Sequence, residues 1–152
     1  MDFDEIYLQA AIAQAKKSLR EGGIPIGAAL VVDNIVVGLG HNRRVQSADP
    51  ILHGETDCIR NAGRLTPDQY RRATIYTTLS PCAMCSGTIL LYKIPRVVIG
   101  ESRNFQGSEQ LLIDHGVEIV QAQNREIESI MRKFIADHPK LWFEDIGKLE
   151  QD

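Results

Sequence analysis

The sequence lacks any apolar run that approaches the roughly 18 residues of a membrane span, and it lacks low-complexity segments. It also has no excess of basic residues: 17 Lys and Arg stand against 20 Asp and Glu, which gives a formal net charge of −3. This mild acidity disfavours a polyanionic partner. The first residues include Asp2, Asp4 and Glu5, where a secretory signal would be basic. We therefore expect a cytoplasmic protein that binds neither membrane nor nucleic acid.

Cysteine is scarce, and its odd count argues against a disulfide framework. Of the three cysteines, Cys82 and Cys85 form a C-x-x-C pair, which fits metal or redox chemistry better, and Cys58 stands alone. A chain of 152 residues buries about 70% of the surface that its unfolded form exposes, so it does not need disulfides to hold a core. We predict a single domain over residues 1–152.

The N-terminal part of the sequence predicts a helix and then a hairpin. Apolar residues recur at helical spacing over residues 1–20, and a Gly-Gly pair ends the pattern. Two runs rich in β-branched residues follow at 26–32 and 35–39. Asp33-Asn34 lies between them, and both residue types tolerate the left-handed conformation of a tight turn. The sheet therefore begins with an antiparallel pair of strands.

Beyond a predicted loop at 40–52, the pattern alternates between strands and helices. Strands that alternate with helices imply parallel pairs joined by crossovers. The predicted fold class is therefore α/β: a three-layer α-β-α sandwich with a five-stranded mixed sheet, the hairpin at one side and the parallel strands at the other. The predicted strands cover 74–78, 96–100 and 117–120, and the predicted helices cover 53–62, 81–92, 108–115 and 124–137.

The C-x-x-C pair follows Pro81 directly after a predicted strand, so both thiols lie in the first turn of a helix. Unpaired backbone N–H groups and the positive end of the helix dipole favour thiolates there. By itself this motif is compatible with a redox pair or with a metal site. A zinc site built from four cysteines would need a second C-x-x-C, which the sequence does not contain.

His53-Gly54-Glu55, which begins 29 residues before Cys82, favours a metal. With His53, Cys82 and Cys85 as ligands, Zn²⁺ keeps its fourth position open for water, as catalytic zinc sites do. Zinc lowers the pKa of such a water, and Glu55 is then placed to take up its proton and deliver it to the substrate. Glu55 lies about 200° from His53 around a helix, so both can face one ion only across the end of the helix. The combined H-x-E and P-C-x-x-C pattern is a signature of zinc deaminases.

The sequence resembles the cytidine deaminase-like superfamily, and within it the fungal-type cytosine deaminases that act on the free base. The zinc motif is shared by the whole superfamily, whereas Asn42 and the segment 142–147 discriminate better within it. The similarity runs from about Ile24 to Gly147 and is carried by segments 23–27, 40–42, 52–55, 61–65, 77–85, 104–105 and 142–147.

This resemblance implies hydrolytic deamination of cytosine to uracil and ammonia, by a homodimer with one zinc ion per subunit and a free nucleobase as substrate. It implies that His53, Cys82 and Cys85 hold zinc and that Glu55 carries protons. It also implies a base pocket. The substrate-binding residues carried over by position are Asn42, Asp145, Ile26, Phe105 and Trp142, with the backbone of Gly54 and Ser80 nearby.

One departure from the fungal-type pattern concerns the pocket wall. The pattern has Phe three residues after its Asn, whereas this chain has Val45 after Asn42. A smaller wall would admit another ring, such as a substituted pyrimidine, guanine or a creatinine-like compound. A tRNA adenosine deaminase is a further alternative, which the acidic segment 144–152 disfavours. A non-enzymatic zinc or redox module is the alternative of a different class.

Several other residues carry structural expectations. We expect Cys58 to be a small buried apolar residue, and the pairs Arg43-Arg44 and Arg71-Arg72 to be solvated. Trp142 and Phe143 fit either a pocket wall or the anchor of a C-terminal helix, and of Glu144 and Asp145 one must face away. Three histidines without a partner at ligand spacing are expected at the surface or in loops: His41, His115 and His138.

Overall fold

Five strands form one mixed sheet in the computed structural model, which describes residues 2–150. The strand order is β2-β1-β3-β4-β5. The strand β1 pairs antiparallel with both β2 and β3, and the pairs β3–β4 and β4–β5 are parallel. The predicted fold class and the placement of the hairpin are confirmed. The strands are β1 (Gly27–Val32), β2 (Ile35–His41), β3 (Ala73–Leu79), β4 (Arg96–Glu101) and β5 (Glu118–Gln121).

Helices cover both faces of this sheet. On one face α1 and α7 pack against alternate side chains of the central strands, including Ala29, Tyr76 and Val98. On the other face α3, α5 and α6 pack against the intervening side chains, including Leu30 and Ile75. The helices are α1 (Phe3–Arg20), α2 (Arg44–Ser47), α3 (Gly54–Ala62), α4 (Pro67–Arg71), α5 (Ala83–Tyr92), α6 (Glu109–Asp114), α7 (Arg125–Asp137) and α8 (Pro139–Asp145).

The turn between β1 and β2 confirms the predicted hairpin. Asp33 and Asn34 have φ values of 51° and 62°, which is the left-handed geometry of a type I′ turn. The strand β2 continues to His41, further than predicted, and Gly40 lies in this extension. A Cβ at Gly40 would meet the backbone nitrogen of Cys58 at 2.1 Å, so the glycine lets α3 lie directly on the strand.

Three short helices were not predicted. The helix α4 has a local signal in the sequence, because Thr66 and Gln69 form a capping box around Pro67. The helix α2 falls within the predicted loop at 40–52, and α8 lies beyond the last predicted helix at 124–137. Their ends carry residues that contact each other across the fold, so tertiary contacts rather than local propensity account for them. Within the part of the chain that the structure describes, no helix combines the length and apolar character needed to cross a membrane.

Two expectations about polar residues were wrong. His41 is buried, and its Nε2 lies 2.8 Å from Glu21 Oε1. Arg44 is not solvated, because it pairs with acids of α8. The expectation for Arg71 and Arg72 is confirmed, as both are exposed. His115 and His138 are also exposed, and Cys58 is fully buried, as expected.

A half-buried polar network joins α1 to the sheet. Arg96 Nη1 and Nη2 donate to the carboxylate of Asp4 at 2.8 and 2.6 Å, and the Tyr76 hydroxyl donates to the same carboxylate at 2.6 Å. The hydrogen bond from Arg96 lowers the pKa of Asp4, with a smaller contribution from Tyr76, against the opposing effect of burial. The folded chain therefore stabilises the ionised form of Asp4 more than the unfolded chain does.

This network predicts a pH-dependent loss of stability. A carboxyl group with a lowered pKa contributes stability above its unfolded pKa of 3.8, and the contribution is lost as the pH falls through the lowered value. We expect Asp4→Asn to reduce the free energy of unfolding at pH 7 by about 1 kcal/mol. Denaturant unfolding at pH 7 and at pH values below about 4 measures this difference, which should shrink in acid. Glu5→Gln, in the same helical turn, is the control. A difference that does not change with pH would contradict this account.

Candidate metal centre and substrate pocket

The N-termini of two helices meet at one end of the sheet. His53 is the N-cap residue of α3, and Cys82 is the N-cap residue of α5. The strand β3 ends at Leu79, three residues before Cys82, so the sheet fixes where α5 begins. Each motif therefore lies at a helix start, as the sequence predicts. Partly exposed N–H groups at both starts favour negative charge on the side chains there.

Three potential metal ligands converge at this point. His53 Nδ1 lies 3.5 Å from Cys82 Sγ and 3.8 Å from Cys85 Sγ. A tetrahedral ion with bonds of about 2.3 Å to sulfur and about 2.0–2.1 Å to nitrogen separates such ligand atoms by about 3.6 Å. One imidazole and two thiols are ligands that zinc prefers. The group therefore fits a zinc ion in both geometry and donor chemistry.

Glu55 lies in the first turn of α3 and faces the same space. Its side chain is buried, and its Oε1 has no hydrogen-bond partner among the described residues. A buried carboxylate oxygen without a partner is costly, so this atom is expected to face a bound molecule. Glu55 also contacts the Cys85 thiol. The carboxyl group and the three ligands thus share one space at the helix end, which is the placement that the H-x-E spacing requires.

The protonation of these groups is strongly coupled. A hydrogen bond from Cys85, and a second contact with His53, lower the pKa of Cys82 to about 4. Burial lowers the pKa of His53, but the contact with Cys82 and the charges of Asp145 and Glu55 outweigh it and raise the value to about 9. The hydrogen bond between the two cysteines raises the pKa of Cys85, and burial adds to this shift. Without metal, hydrogen bonds therefore link the three ligand side chains, and a metal ion must displace the protons of these bonds in order to bind.

Burial raises the pKa of Glu55 to about 7, and the neighbouring Cys82 thiolate adds to the shift. A carboxyl group with a pKa near the working pH is suited to accept a proton in one step and return it in the next. Raised values of this kind are typical of functional sites. Glu55 is therefore chemically matched to general acid–base work beside the three ligands.

A cavity opens beside this group. Its walls are mainly apolar, and the rings of Phe105 and Trp142 meet edge to face, with their centroids 5.7 Å apart. Sequence reasoning missed two members, Leu79 at the end of β3 and Ile146 after α8. The lining residues are Ile26, His53, Glu55, Leu79, Ser80, Cys82, Phe105, Trp142, Asp145 and Ile146.

Three of the predicted pocket residues make contacts with other parts of the fold that a role as cavity wall does not require. Asn42 is fully buried behind Asp145, and its Nδ2 donates to Asp145 Oδ2 at 3.0 Å. Gly54 lies next to Ile26, whose Cγ2 would be 3.2 Å from a Cβ on the glycine. The Ser80 hydroxyl donates to Glu109 and accepts from the Gly107 backbone N–H, so this side chain is engaged with a neighbouring loop.

The interpretation of Val45 as a pocket wall was wrong. Val45 lies in α2, is 40% exposed and does not line the cavity. The residue before it, Arg44, faces the site instead, because its Nε donates to Asp145 Oδ1 at 3.0 Å. Asp145 is the member of the acidic pair that faces inward, and Glu144 faces outward with a side chain that is 57% exposed.

Known proteins share both the motif and the fold. Residues 1–101 match the family model described as the cytidine and deoxycytidylate deaminase zinc-binding region. A cytosine deaminase of Candida albicans is 53% identical over 150 residues, which cover 97% of this chain and 100% of the relative. A tRNA-specific adenosine deaminase of Streptococcus pyogenes is 38% identical over 107 residues, which cover 69% of this chain and 67% of the relative.

A solved structure supports the fold at lower identity. A variant of the protein NE0047, in complex with 8-azaguanine, superposes with a TM-score of 0.76 at 17% identity, covering 89% of this chain and 85% of that one. The family match spans His53, Glu55, Cys82 and Cys85, which are the residues that the fold brings together. The chain therefore belongs to the family of cytidine and deoxycytidylate deaminases, and its resemblance to a fungal cytosine deaminase is confirmed.

Proposed function

We propose that this protein is a zinc-dependent cytosine deaminase, which hydrolyses the free base to uracil and ammonia. The observation that carries the proposal is the 53% identity to a cytosine deaminase over the whole length of that relative. Such coverage extends beyond the zinc motif and includes the C-terminal region, where Trp142 and Asp145 form part of the cavity. The site supports the proposal through its apolar walls and its few polar groups.

The cavity suits a flat heteroaromatic base. Phe105 and Trp142 offer ring surfaces, and Ile26 adds an aliphatic wall. Asp145 is an acceptor for an N–H group of the base, either in the ring or on the exocyclic amine, and the Asn42 amide holds this carboxylate from behind. Apolar walls bind any flat ring that fits between them. Asp145 therefore accounts for much of the discrimination between one base and another.

The metal ligands would be His53 Nδ1 and the thiolates of Cys82 and Cys85. Bound there, a zinc ion supplies a water nucleophile that is active near neutral pH. Glu55 Oε1, which lacks a protein partner among the described residues, accepts the proton of the attacking water and passes it to a ring nitrogen. Glu55 then takes up the second proton of that water, from the oxygen now bonded to the ring carbon, and delivers it to the amine, so that the C–N bond breaks, a carbonyl forms and ammonia leaves.

We also propose that the protein is a homodimer. The helix α5 is apolar on both sides: Cys85 and Ile89 are buried in the fold, whereas Leu91 on the outer side is 68% exposed. Met84 and Thr88 precede Leu91 at spacings of seven and three residues and belong to the same outer stripe. A helix that is apolar all round needs a partner on each side, and a second copy of the chain is the simplest one.

The cysteine chemistry supports a reducing compartment, and we propose the cytoplasm. Cys82 and Cys85 bind metal only as free thiolates, and all three cysteines are unpaired. Conversion of free cytosine to uracil is a reaction of pyrimidine salvage. The alternatives are less supported, because Val45 does not widen the cavity and the tRNA-specific relative matches over about two thirds of its length.

Glu55→Gln tests the proton transfer. The amide keeps the shape of the side chain but cannot carry the proton, so we expect kcat for ammonia release from cytosine to fall by about 10²–10⁴-fold. Metal analysis should still find one zinc ion per chain, because Glu55 is not a ligand. Glu5→Gln, on the exposed first turn of α1, should behave like the wild type. Unchanged turnover in Glu55→Gln would contradict the assigned role, whereas zinc binding without turnover in the wild type as well would favour a non-enzymatic zinc module.

Leu91→Lys tests the dimer. A charge at the exposed C-terminal end of the outer stripe of α5 should shift sedimentation velocity profiles from dimer toward monomer. Ile35→Lys is the matched control, since Ile35 is 64% exposed at the start of β2. If Leu91→Lys sediments as the wild type does, then α5 does not form the interface. A wild-type protein that is monomeric at every concentration tested would contradict the dimer itself.

A further inference from the structure

One guanidinium group binds both acids at the end of α8. Arg44 Nε donates to Asp145 Oδ1 at 3.0 Å, and Arg44 Nη1 donates to Glu144 Oε1 at 3.0 Å. The Arg44 side chain is 17% exposed and that of Asp145 is 2% exposed, so this contact is largely shielded from water and salt, whereas Glu144 is 57% exposed. The two acids lie about 100 residues further along the chain. This arrangement connects α2 directly to the C-terminal wall of the cavity.

The burial of Asp145 makes this contact important. Its side chain is 2% exposed, and a buried carboxylate is costly unless charge and hydrogen bonds compensate. Among the described residues its polar contacts are Asn42 Nδ2 at 3.0 Å, Arg44 Nε at 3.0 Å and His53 Nε2 at 3.4 Å. Asn42 is neutral, and His53 is committed to the metal group through Nδ1. Arg44 therefore supplies the permanent positive charge.

Arg44 also orients Asn42. The backbone N–H of Arg44 donates to Asn42 Oδ1 at 3.0 Å, while Asn42 Nδ2 donates to Asp145 Oδ2 at 3.0 Å. These bonds close a ring of three residues, in which the amide has one permitted orientation because its oxygen must accept and its nitrogen must donate. The remaining lone pair and N–H of this amide are fixed in direction as well.

The same contact reaches the aromatic wall. Trp142 precedes Asp145 by three residues on α8, so the two side chains lie on one face of the helix. Both line the cavity. A guanidinium group that holds Asp145 therefore also restrains the position of the Trp142 ring. Arg44 does not line the cavity that contains Glu55, but it lines the adjoining cavity, which shares His53, Cys82 and Asp145 with the first.

We propose that Arg44 is a positioning residue for base recognition. It acts through Asp145 and Asn42, and it holds them and the aromatic wall of α8 in the geometry that receives the ring. This inference rests on the proposed function for its kinetic test, but its structural test does not depend on the substrate. The sequence pattern offers no local signal for the role, since it arises only where α2 and α8 meet.

Arg44→Ala tests the proposal in the zinc-loaded, full-length protein. We expect KM for cytosine to rise at least tenfold and kcat/KM to fall by about 10²-fold, with one zinc ion per chain retained. Arg44→Lys should recover part of the loss, because lysine keeps the charge but lacks the fork that reaches two carboxylates. Arg43→Ala is the matched control, since the Arg43 side chain bonds to Ser47 rather than to α8, and its KM should equal that of the wild type.

Trp142 provides a second readout, because it is the single tryptophan of the chain and is buried. Acrylamide quenching of its fluorescence should increase in Arg44→Ala and remain at the wild-type level in Arg43→Ala. A lower unfolding temperature with unchanged KM and unchanged quenching would overturn the proposal, as it would show a merely structural role. If Arg44→Ala does not fold, wild-type KM and quenching in Arg44→Lys would overturn it.

The two proposals fail in different ways. A wild-type protein that binds zinc but releases no ammonia from cytosine would contradict the proposed function. The quenching comparison would still decide whether Arg44 positions α8. Conversely, normal turnover of cytosine by both Arg44 variants would leave the enzyme assignment intact and overturn the role of Arg44.

Discussion

The structure depends on the burial of ionisable groups where two helices begin. His53, Cys82, Cys85 and Glu55 lie together where α3 and α5 start, so backbone N–H groups and the helix dipoles support negative charge there. The sheet places these starts: β3 leads directly into the cysteine turn, and Gly40 lets α3 lie close to β2. The coupled shifts of pKa at Cys82, His53 and Glu55 follow from this burial and mutual contact. A metal ion held by His53, Cys82 and Cys85 would replace these protons with a permanent charge.

The cavity beside the metal ligands also contains a buried ionisable group, the carboxylate of Asp145. Asp145 is an acceptor in an apolar cavity, where hydrogen bonds are stronger but an unpaired charge is costly. The chain compensates this charge from two directions, with the neutral amide of Asn42 and the cation of Arg44. The aromatic rings of Phe105 and Trp142 line the same cavity as Asp145, and under the proposed function the rings accept a flat base while the carboxylate discriminates between bases. The C-terminal segment is thus part of the site and not a terminal extension of the fold.

Local signals in the sequence account for most of the fold and for the metal centre. The left-handed turn at Asp33 and Asn34, the alternation of strands and helices, and the two motifs at helix starts depend on short-range rules, and the structure agrees with them. The errors concern contacts between distant segments. Arg44 was expected to be solvated, but α8 places two carboxylates beside it. His41 was expected at the surface or in a loop, but β2 extends to include it and it is buried. Val45 was expected to line the pocket, but α2 turns its side chain outward. No periodicity within a short window contains this information.

The most direct test of the account is ammonia release from cytosine by the zinc-loaded protein, measured beside cytidine and beside a chelator-treated sample. The account predicts release from cytosine, little or none from cytidine, loss of activity after chelation and its return when zinc is added back. A protein that binds zinc at His53, Cys82 and Cys85 but releases ammonia from cytidine and not from cytosine would contradict it, because the site would then act on a nucleoside and not on the free base.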